Sequence, residues 1–142
     1  MSSIKTGMKT KALVVLACGL FSFASISTAQ EMTAENYIAL DLEARQVTLQ
    51  GVWERLVLLQ LGADLSLQLQ HDAQTQQKVE AIYAEAGMTL AKTVVWATHN
   101  TQAINRWLAR HPDVESEYAR IDRELDEASA QIESFQTNQQ GD

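Results

Sequence analysis

Val114, Tyr118, Ile121, Leu125, Ala128, Ile132 and Phe135 follow one another at spacings of 4, 3, 4, 3, 4 and 3 residues. Only a helix puts such a set on one side, as a narrow apolar seam held for three heptads. Its start is marked. Pro112 suits a first helical position, where a missing N–H costs nothing. Asp113, Glu115 and Glu117 follow in the early turns, where the helix dipole favours negative charge. From about residue 136 the chain is polar and is expected to fray.

The rest of the chain reads as helix too. Val79, Tyr83, Ala86, Leu90, Val94, Ala97, Thr101, Ile104 and Leu108 advance by threes and fours, so they share one helical face. Asp72 is a candidate N-cap for this segment, and Arg106 and Arg110 suit its end. A first segment, residues 34–70, has Thr33 as its cap and a stripe of Leu42, Leu49, Val52, Leu56, Leu59 and Ala63. Within it Leu59, Leu61, Ala63, Leu65, Leu67 and Leu69 alternate strictly, which is a strand signal. Helix is still the expected state, because Leu and Gln are not β-branched and a lone strand has nothing to pair with.

The expected fold is therefore all-α, an antiparallel bundle of three long helices broken near His71-Asp72 and His111-Pro112. Further breaks at Gly62-Ala63-Asp64 and Gly87 give the alternative, a four-helix up-down bundle.

Residues 1–29 read differently. Lys5, Lys9 and Lys11 precede an apolar run from Ala12 to Ile26, and Ser27-Thr28-Ala29 ends it with small residues at the first and third positions. This is the pattern of a cleaved secretory signal, and it implies a periplasmic or extracellular setting. The apolar run is about 15 residues, short of the roughly 20 a spanning helix needs. Membrane attachment would require an uncleaved signal or a lipid on Cys18.

What remains is a single helical domain, residues 30–142. Loss of the signal removes three of the 11 basic residues and none of the 18 acidic ones, so the net charge moves from −7 to −10. Nucleic-acid backbones need clustered Lys and Arg, so that class of partner is not expected and a charged partner would be basic. Cys18 is the only cysteine, and the remaining domain has no disulfide to stabilise it.

No motif commits the chain to a reaction. His-Glu-x-x-His, Glu-x-x-His, Cys-x-x-Cys, a phosphate-binding glycine loop and Gly-x-Ser-x-Gly are all missing. No catalytic residue and no cofactor is therefore expected. Dispersed charges on the first segment, Arg45, Glu54 and Arg55, give only a weak basis for a small hydrolase or mutase. A stripe of Trp96, Asn100, Ala103, Trp107 and His111 lies about 100° around the helix from the main apolar face. Tryptophan is over-represented at binding hot spots, so Trp96, Asn100, Trp107 and His111 are the candidate partner-binding residues. Burial between two neighbouring helices would account for the same stripe. The functional expectation is a protein-binding role, as adaptor, inhibitor or chaperone-like factor. The alternative is a haem- or metal-carrying bundle with His99 as a ligand. The seam after Pro112 also allows self-association.

Overall fold

The computed structural model describes residues 31–140, and the expected signal segment, Cys18 included, lies outside them. Among the described residues the chain is five helices and no strand: α1 (Ala34–Gln60), α2 (Leu65–Glu85), α3 (Leu90–His99), α4 (Thr101–Leu108) and α5 (Pro112–Gln140). The all-α expectation holds. No described helix is long and apolar enough to cross a membrane.

The breaks differ from the three-helix expectation. Gly62 (φ 73) and Gly87 (φ 72) adopt the left-handed conformation that ends helices. At the first, Gly62 N–H donates to Leu59 O and Ala63 N–H to Leu58 O; at the second, Gly87 N–H donates to Ala84 O and Met88 N–H to Tyr83 O. Each pair is the double bond of a Schellman motif. Asp64, not Asp72, caps α2, accepting from Leu67 N–H at 2.8 Å. There is no break at His71-Asp72, because both residues pair across to α1 from the middle of α2: His71 Nε2 lies 2.9 Å from Glu54 and Asp72 lies 3.0 Å from Arg55. The alternating leucines therefore straddle a helix–turn–helix. α5 begins at Pro112 and stays helical past residue 136, to Gln140. Thr137 Oγ1 donates to Glu133 O there at 2.9 Å.

α1 is the central helix, and α2 and α5 both pack on it while hardly touching each other. α2 runs antiparallel to α1, with Gly51 against Thr75 and Ala44 against Ile82 and Tyr83. α5 runs parallel to α1. Tyr118 reaches Asp41, Asp122 reaches Arg45, and Phe135 shares a depression with Leu56 and Gln60. α5 is thus antiparallel to α2, and the three long helices alternate in direction; the departure from the expected bundle is the pair of short helices between α2 and α5. α2 returns the chain to the base of the bundle, and α3 and α4 cross over there to the start of α5. The α5 seam is turned inward throughout, with Ile121 and Ala128 fully covered.

Candidate functional site

Tyr37, Asp41, Arg45, Thr48, Val52 and Arg55 lie along one face of α1, in the groove between α2 and α5. Helices α3 and α4 cover its lower half, where the Tyr37 and Trp96 rings stand 5.4 Å apart. The upper half is open, a cleft of about 510 Å³ whose apolar lining is Val52, Val79 and Ile132.

A polar node ties the base together. Asp41 accepts from Arg45 Nε (2.9 Å), Tyr118 Oη (3.0 Å) and Tyr83 Oη (3.3 Å), joining α1, α2 and α5. Arg45 also pairs with Asp122 at 2.7 Å and lies over the Tyr118 ring. Burial, with the Asp41 charge next, raises the pKa of Tyr37, Tyr83 and Tyr118 above the ordinary phenol value. This cluster has a sequence signal, the i, i+4, i+8 spacing of Tyr37, Asp41 and Arg45, which the apolar-stripe reading passes over. Arg45, Tyr83 and Tyr118 already have their acceptors, so the node serves as a structural tie. Glu54 and Arg55 are likewise engaged by α2, and the three charges considered for catalysis point into separate inter-helix contacts.

The candidate binding stripe is divided. Asn100 ends α3 and begins α4 (φ −111, ψ 16), its side-chain amide donating to Trp96 O at 2.8 Å. Trp96 is half-buried against Tyr37. Trp107 stacks on His111 with ring centroids 3.6 Å apart, and His111 Nδ1–H donates to Trp107 O at 2.7 Å. Trp96 and Asn100 thus line one surface, and Trp107 and His111 close the far end of the crossover. His99 is exposed at the end of α3, and among the described residues no three His, Cys, Asp or Glu side chains are grouped to hold a metal ion.

The long apolar face expected through residues 79–108 changes phase at Gly87. Thr89 recaps the chain there, accepting from Lys92 N–H at 3.2 Å. The restart brings Thr93 inward, to 2% exposure, and turns Leu90, Val94 and Val95 outward, at 42%, 58% and 56%. Met88, Ala91, Lys92, Val95, Trp96, His99 and Asn100 then form an apolar depression of about 460 Å³ on this helix. Apart from Trp96, Asn100 and His99, this surface escapes sequence reasoning.

No protein family, curated protein or solved structure matches the chain.

Proposed function

We propose that this chain works by binding another protein on the outward face of α3. One observation carries the reading: a short helix at the crossover presents Leu90, Val94 and Val95 to solvent while Thr93 is buried. Exposed apolar patches of this kind mark interaction sites. The depression beside Trp96 and Asn100 gives a partner side chain somewhere to lodge, and tryptophan at its edge suits an anchor. Two of the four residues singled out in the sequence belong to this surface. Trp107 and His111 hold the crossover in place.

The overall acidity favours a basic partner, but the face itself does not. From Ala86 to Pro112 there is no acid, and Lys92, Arg106 and Arg110 supply three bases. The contacting patch of the partner is therefore apolar with a carboxylate at its edge. With the leader acting as an export signal, the encounter takes place outside the cytoplasm.

The test is photo-cross-linking in the producing cell, with the probe at Val95 and, as a control, at Glu43 on an exposed stretch of α1. The expected result is a discrete adduct from Val95 alone, lost in Leu90→Glu at unchanged helicity. Equal labelling from both positions, or none, would dismiss this face as a docking site.

A further inference from the structure

Among the described residues the exposed large hydrophobic side chains fall into two groups. One is the α3 face. The other is the tip of the α1–α2 hairpin at the opposite end of the bundle: Val57 (50% exposed), Leu61 (78%), Leu65 (65%), Leu67 (45%) and Leu69 (57%). From Leu56 to Gln70 the only charged residue is Asp64, and its carboxylate is engaged in capping α2. The tip is thus apolar and nearly uncharged, on a chain whose net charge is strongly negative.

The chemistry of the tip selects its occupant. A lipid surface is met by helices that carry cationic and aromatic anchors at the headgroup level. Here there is no Lys or Arg between Arg55 and Lys78 and no aromatic residue between Trp53 and Tyr83. Gln60, Ser66 and Gln70 are exposed among the leucines, and their hydrogen bonds would go unmade in hydrocarbon. In a protein interface they can pair. A foreign protein would find no charge here to steer it. A second copy of this chain is different. Two strongly acidic molecules repel over most of their surfaces, and the tip is where they can meet with the least of that cost. A two-fold axis would set leucine against leucine and glutamine against glutamine.

We propose that two copies of the chain pair tip to tip through Leu61, Leu65 and Leu69, with Val57 and Leu67 at the margins. The contact is weak, because five side chains fall short of the roughly 800 Å² per partner that a stable interface buries. Salt strengthens it, since the only electrostatic contribution is screened repulsion. This surface is independent of the α3 face and does not rest on the function assigned to it.

Sedimentation equilibrium of the purified protein tests the pairing. The average mass should climb from monomer towards dimer over roughly 1–100 µM, the range of a small interface, and climb sooner at higher salt. Leu61→Glu with Leu65→Glu should hold the protein monomeric at unchanged helicity, and Leu67→Lys with Leu69→Lys should do the same as an independent pair. Leu90→Glu should leave the dimer intact. A monomer throughout the range, a dimer that survives both tip pairs, or a dimer lost through Leu90→Glu overturns the proposal. So does a monomer whose tip binds phosphatidylcholine vesicles and loses them on Leu61→Glu, which would assign the tip to lipid.

Discussion

Asp41 shows how one half-buried carboxylate organises three helices. Two tyrosine hydroxyls and a guanidinium converge on it from α2, α5 and its own helix, so truncating it leaves several donors facing each other with no acceptor. Asp41→Ala should therefore destabilise the protein by about 2–3 kcal/mol, the range for removing a charged acceptor from buried donors. Asp41→Asn keeps an acceptor in place and should cost less. Chemical denaturation of the two variants checks the order. This residue was poorly legible in the sequence because its partners lie 42 and 77 positions away. Only the local spacing of Tyr37, Asp41 and Arg45 hinted that a polar ridge runs up this face of α1.

At the level of elements, legibility followed phase. The last helix was readable in its start and its inward side, because a proline and an unbroken seam fix them, while its continuation past residue 136 has no apolar signal to announce it. The two hairpin-like turns were readable only as candidate glycines, since the leucines and glutamines around Gly62 continue a helix as readily as they end one. The α3 face was hidden for a sharper reason. Gly87 and Thr89 stop one helix and restart another, which resets the angular phase, so a stripe extrapolated across them assigns Leu90 and Val94 to the wrong side. Close approach of two elements gives a further prediction. A Cβ on Gly51 would stand 2.5 Å from Thr75 Cγ2 and 2.6 Å from its Oγ1. Rotating the threonine exchanges one clash for the other. Gly51→Ala should gain about 1 kcal/mol in helix propensity and lose about 1–3 kcal/mol to overpacking, for a net fall in Tm. Adding Thr75→Ala should restore most of it. Additive melting shifts for the two substitutions would show that the helices are not in contact there.

At the scale of the whole molecule the three tyrosines act together. In the unfolded chain they lose their protons near pH 10; in the fold all three hold them to higher pH, through burial and the neighbouring Asp41 charge. Stability from these groups is complete below about pH 10 and is lost as the pH rises through the raised folded values. Phenolate absorbance should thus appear together with the loss of helical circular dichroism, in one alkaline transition. Tyrosines ionising near pH 10 with helicity intact would contradict the buried node. The place of α3 and α4 was the least legible feature of all, because their 18 helical residues look, in sequence, like one more member of an up-down bundle. Their role as a crossover depends on where both ends land.

The ends of a domain commonly lie close together, but the ends of the described stretch do not. Since α1 and α5 point the same way, the described residues begin at the base beside α3 and end at the leucine tip. A helix of 27 residues separates those ends by about 40 Å. Each end of this stretch is in effect a handle on a different surface. A reporter fused to the carboxyl end would shadow the tip and leave α3 free, and one fused to the amino end would do the reverse.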